Sequence, residues 1–146
     1  MKLLKKSSLL ILPLMLLTSC ENKVFSFSAE ELYLPEPTKI AFTLNESTEC
    51  TLNEDDTLTF YQKYLKDLKF EKNRDIFLNV FSFEYYYDFD EYPYGEVPLE
   101  LRLGNFNYIC LVYEYFGVHY WYVCTEPVPY LEMMDFLEAH ALVKPM

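Results

Sequence analysis

The segment Val97-Pro98-Leu99-Glu100-Leu101-Arg102-Leu103 alternates apolar and charged residues with a period of two. That period belongs to a strand with one buried face and one wet face, because successive side chains on a strand point to opposite sides. Leu99, Leu101 and Leu103 mark the core face, and Glu100 and Arg102 the solvent face. Gly104-Asn105 then supplies a turn. Downstream, Phe106–Phe116 and Val118–Thr125 read as a hairpin around Gly117. With an odd-length loop centred there, odd positions pair with odd. One face then carries Ile109, Leu111, Tyr113, Trp121 and Val123 as core. The other carries Tyr108, Cys110, Val112, Glu114, Tyr120, Tyr122, Cys124 and Glu126, a partly polar surface.

Outward from this hairpin, Ile76–Phe83 is apolar and rich in β-formers, and Tyr92-Pro93-Tyr94-Gly95 reads as a turn. Lys39–Leu44 alternates as a strand, with Pro35 and Pro37 before it and a turn at Asn45–Ser47. Asn53 is a good N-cap, and Glu54, Asp55 and Asp56 follow in the first turn, where carboxylates meet the positive helix end. Leu58, Tyr61, Leu65 and Leu68 recur at helical spacing, and Lys66, Lys69 and Lys72 gather towards the end. A last amphipathic segment begins near Pro129, with Leu131, Met134, Leu137 and Ala141 as its stripe. The expectation is an α+β fold. It has an antiparallel sheet of about five to six strands, one long helix (about 54–70) and a C-terminal helix (about 129–141), the helices lying on one sheet face.

The N-terminus has a different grammar. Lys2, Lys5 and Lys6 precede an apolar run from Leu9 to Leu17, the layout of a secretory signal peptide. The run is too short for a spanning helix, which needs about 20 apolar residues. Leu17-Thr18-Ser19-Cys20 follows: an aliphatic residue, two small polar residues and a cysteine. This resembles the lipobox of bacterial lipoproteins. The resemblance implies a diacylglycerol on the Cys20 thiol, cleavage just before Cys20, and frequent acylation of the new amino group. Glu21 is compatible with outer-membrane sorting, where an Asp tends to retain such proteins at the inner membrane.

The expected organisation is therefore a cleaved signal peptide (1–19), a lipidated N-terminus and short tether (20–31), and one globular domain (32–146). Loss of residues 1–19 from a chain of 146 leaves 127, enough for a real core. It also removes three lysines and takes the formal charge from −11 to −14. Such an acidic chain is unsuited to nucleic acid or an anionic bilayer, both of which attract basic patches. Fourteen tyrosines and twelve phenylalanines argue for an ordered core.

Candidate sites are few. In an oxidising compartment, Cys110 and Cys124 would bridge if the hairpin turn placed them opposite each other; otherwise, with Cys50, they stay free thiols. Asp88, Asp90 and Glu91 lie among Tyr85, Tyr87 and other tyrosines, as a solvated acidic loop or a protein-binding one. The fixed glycine and terminal glutamate of a calcium loop are missing there, so no metal is expected. Tyr108, Tyr120 and Tyr122 read either as a flat aromatic platform or as half-buried sheet residues. His119 and His140 stand in no metal-ligand spacing, and no nucleophile elbow, phosphate loop or dinucleotide fingerprint occurs. No catalytic residue, cofactor or enzyme activity is expected. The functional expectation is an exported protein, lipid-anchored through Cys20 at the cell membrane or outer membrane. Its acidic aromatic domain would bind an envelope or secreted protein, as an assembly factor, inhibitor or immunity protein. The alternative is a small-ligand or glycan binder using a tyrosine-rich sheet face.

Overall fold

A computed structural model describes residues 30–72, 79–87, 97–104, 107–115 and 117–145. The expected signal segment at 1–19, Cys20, Asp88, Asp90, Glu91 and the expected turn at 92–95 lie outside the described residues. Among the described residues nine strands form one antiparallel sheet: β1 (Glu31–Tyr33), β2 (Lys39–Leu44), β3 (Thr48–Thr51), β4 (Lys69–Lys72), β5 (Asn79–Tyr87), β6 (Val97–Gly104), β7 (Tyr108–Tyr115), β8 (Val118–Cys124) and β9 (Leu142–Val143). Their spatial order is β1-β4-β8-β7-β6-β5-β2-β3-β9. The described residues also form two short helices: α1 (Glu54–Phe60), extended by a π-helical turn (Tyr61–Leu65), and α2 (Tyr130–Ala139).

This corrects the expected α+β fold with its long helix at 54–70. Asn53 does cap α1, its side chain accepting from the Asp56 N–H at 2.7 Å. The helix then loosens. The Lys66 N–H bonds to the Tyr61 carbonyl at 2.8 Å, five residues back, and Leu68 bonds only three back, to Leu65. Lys69–Lys72 leaves as strand β4 because Phe70 there fills the core between β1 and β8. Of the lysines read as a helix end, Lys66 falls in a turn, while Lys69 and Lys72 stand on β4 instead, near Glu31 and Glu30. The stripe also rotates: Thr57, Phe60, Tyr61, Tyr64 and Leu65 are buried, while Leu58 reaches solvent. In α2 the buried residues are Met133 and Leu137, and Leu131 is 74% exposed.

The alternation in β6 holds. Leu99, Leu101 and Leu103 are fully buried, opposite Tyr85, Phe83 and Phe81 of β5. The β7–β8 hairpin differs from expectation by one residue. Tyr115 pairs with Val118, so only positions 116 and 117 form the loop, and odd positions pair with even. Gly117 adopts φ +76°, the left-handed conformation that a two-residue hairpin loop demands and glycine takes without strain. Every side chain of β8 therefore changes face. Tyr120, Tyr122 and Cys124 turn to the core beside Tyr113, Leu111 and Ile109, while Trp121 and Val123 turn outward beside Val112 and Cys110.

Both helices lie over the core face. Phe60 meets Phe83 edge-on at 5.8 Å and Phe136 at 5.6 Å. Asp56, at the start of α1, lies beside His140 at the end of α2, and Lys63 further along α1 meets Glu132 early in α2. The helices thus run antiparallel. Among the described residues no helix covers the other sheet face, and none is long and apolar enough to cross a membrane. The sheet edges are short. β1 carries Glu31 and Tyr33, and β9 is followed by Lys144 and Pro145, which discourage further strand pairing.

Candidate functional site

The tyrosines expected on a binding surface are largely core. Tyr85 and Tyr122 are fully buried and Tyr87 nearly so. Tyr85 donates to the Pro35 carbonyl. Burial holds the hydroxyls of Tyr85, Tyr61 and Tyr122 well above the ordinary tyrosine range. Tyr108 and Tyr120 are half-buried and pack against the same core, Tyr120 with its ring 6.4 Å from that of Tyr113. Tyr108, Tyr120 and Tyr122 form no outward platform: the two-residue loop turns Tyr120 and Tyr122 of β8 inward, and Tyr108 of β7 packs against the core as well.

The same register separates Cys110 and Cys124. Cys110 pairs with Val123 and points to the uncovered face; Cys124 points into the core. All three described cysteines are free. Cys124 Sγ accepts from the Ile109 N–H at 3.1 Å. Burial pushes the Cys110 thiol up to about 12 and raises Cys124 as well, so neither is a nucleophilic thiolate at neutral pH.

Two surfaces carry the exposed chemistry. The first is the uncovered face of the sheet, a concave groove of about 800 Å³. Its floor is built by cross-strand rows. One row runs Ala41, Glu84, Glu100, Val112, Trp121 across β2, β5, β6, β7 and β8. Glu84 and Glu100 stand directly opposite, an arrangement that costs energy unless compensated. Arg102 supplies compensation: its Nε and Nη2 reach both oxygens of Glu100 at 2.9 and 3.0 Å. That fork is a charge-assisted bidentate pair, and it raises the guanidinium's affinity for its proton. Arg102 also lies 5.1 Å from the Trp121 ring, a cation–π contact. The Tyr86 hydroxyl donates to Glu84, and Lys39 sits 4.1 Å over the Tyr86 ring.

The second surface is the outside of the helix pair. Within Glu54–Leu65 and Tyr130–Ala139 stand Glu54, Asp55, Asp56, Glu132, Asp135 and Glu138, against the single cation Lys63. All but Asp56 are exposed. Lys63 Nζ is 2.5 Å from Glu132, and the Tyr64 hydroxyl donates to the same carboxylate at 3.1 Å, which holds Glu132 below the usual glutamate range. Asp56 lies 3.1 Å from His140 Nδ1, whose ring stacks on Phe136 at 4.3 Å. Asp135 and Glu138 stand outside both contacts. Leu131 and Leu58 emerge among these carboxylates.

No protein-family model, curated protein or solved structure matches the chain.

Among the described residues, no three His, Cys, Asp or Glu side chains converge in a way that would hold a metal ion. Glu84 and Glu100 face each other across β5 and β6, and Arg102 occupies Glu100 from both oxygens. Sequence reasoning placed Glu100 and Arg102 correctly on a wet face but put Trp121 in the core. Gly117 was the available signal: a glycine as the second residue of a two-residue loop fixes the register that exposes Trp121.

Proposed function

We propose that the chain is an exported lipoprotein, anchored through lipid on Cys20, whose domain binds a basic envelope or secreted protein through its acidic helix pair. The segregation of charge carries this reading. The helices bring six carboxylates and one lysine to one side of the molecule, whereas the cations and carboxylates of the sheet groove are balanced. A single-sign field of this kind steers an oppositely charged partner and weakens with salt. Leu131 and Leu58 give it apolar contact points within the charged ring.

The anchor geometry agrees with such a role. Ten residues separate Cys20 from β1, which begins at Glu31 and forms one end of the sheet. Fully extended, they span at most about 35 Å. The domain therefore hangs near the membrane from its β1 edge, with both layers open to partners. Two or three acyl chains, at about 0.8 kcal/mol per buried CH₂, make attachment stable where one would not.

Each half of the reading has its own test. Cys20→Ala should abolish incorporation of labelled fatty acid and leave an uncleaved precursor; a variant that still takes up label contradicts the anchor. For the partner, the full-length protein in detergent serves as bait on solubilised envelope from its own organism, beside an Asp135→Lys/Glu138→Lys variant. These positions stand outside the interhelical contacts, so the fold should persist. A basic protein retained in fixed ratio by the parent, and bound about tenfold or more weakly by the variant at low salt, is the expected result. Retention indifferent to the reversal and to salt would move the interaction off the helix layer.

A further inference from the structure

The sheet groove has an electrostatic character unlike the rest of this acidic chain. Lys39, Arg102 and Lys144 balance Glu49, Glu84 and Glu100 on its lining, in a protein of formal charge −11. The charges are already engaged: Arg102 forks onto Glu100, Lys144 lies 3.0 Å from Glu49, Lys39 rests on the Tyr86 ring, and Glu84 accepts from Tyr86. A charged ligand would have to displace one of these partners or approach a like charge left beside it. A neutral ligand does neither.

The lining also holds the kinds of group that a hydroxyl-rich molecule uses. A guanidinium has five N–H donors and Glu100 takes two; each carboxylate keeps free lone pairs. Ser82 lies beside Arg102 in the neighbouring row and adds a hydroxyl. Trp121 and Tyr86 are half-buried rings on this face, with Arg102 against the first and Lys39 over the second, so each joins apolar ring area to a neighbouring cation's N–H donors. Trp121 on β8 and Glu84 on β5 are three strand spacings apart in one row, about 14 Å. That is room for a short chain of rings rather than for one.

We propose that this groove binds an uncharged glycan chain, lying across β5 to β8 between Tyr86 and Trp121. The site is distinct from the helix pair and stands or falls apart from it.

Trp121 is the protein's one tryptophan, so the groove carries its own reporter. The full-length protein, held in a non-glycosidic detergent, is titrated with maltohexaose, cellohexaose and chitotetraose while indole emission is followed. At least one of these neutral oligosaccharides should give a saturable shift that is insensitive to salt. Tyr86→Ser, which keeps the reporter, should weaken it by roughly tenfold or more. Ser82→Tyr, which fills the floor, should abolish it, and serves if Tyr86→Ser does not fold. The proposal is overturned if none of the three sugars shifts the emission saturably, or if both variants titrate like the parent. It is equally overturned if an oligolysine or oligoglutamate peptide produces the shift in their place, which would make the groove a charged protein-binding face.

Discussion

Tyr85 shows how a single residue changes meaning once its face is known. In the sequence it stands among tyrosines and carboxylates, as a binding loop would have it; in the fold it is fully buried and donates to the Pro35 carbonyl. Its raised ionisation has a consequence for stability. A group whose folded pKa lies above its unfolded value stabilises fully below the unfolded value and loses that contribution as pH climbs towards the folded one. For Tyr85, Tyr61 and Tyr122, all raised by burial, the loss begins near the ordinary tyrosine value of about 10. Urea unfolding should therefore show stability falling steeply above that pH. Tyr85→Phe should flatten the fall and, at neutral pH, cost about 1 kcal/mol for the hydrogen bond lost at Pro35. An unchanged alkaline slope would mean Tyr85 is not buried as described.

At the scale of elements, α1 was legible where local chemistry governs and illegible where the tertiary core does. Asn53 and the first-turn carboxylates are short-range signals, and they start the helix where they should. Asn53→Ala should lower the free energy of unfolding by about 1 kcal/mol, read from the denaturant midpoint. A loss of only a few tenths would show that the cap contributes little. The helix end was not legible, because Leu68 and Phe70 continue the apolar pattern. Only the need for a strand between β1 and β8 ends the helix at the π-turn. The C-terminal helix was easier, since Pro129 opens it and its sequence separates it from the sheet. The alternation in β6 was the most secure reading, because a period of two with three leucines on one side admits one burial. The β7–β8 hairpin shows the converse. Both of its strands are apolar on both faces, so periodicity does not fix the register and the loop length does.

For the molecule as a whole, that one-residue register separates two accounts of the protein. With Tyr120 and Tyr122 outward, the sheet would show a tyrosine platform and hide its tryptophan. With Trp121 outward, the tyrosines fill the core under two acidic helices, and a charge-balanced groove opens on the opposite side. The division into an acidic helix layer and a balanced sheet face, on which both binding proposals rest, follows from the second arrangement. Hydroxyl-radical footprinting of the native protein, read by mass spectrometry at neighbouring residues, tests it without any substitution. Trp121 and Tyr86 should be modified rapidly, while Tyr122 and Tyr85 stay protected until urea unfolds the chain. Rapid modification of Tyr122 and Tyr85 with Trp121 and Tyr86 protected would contradict the register and, with it, the two-faced molecule.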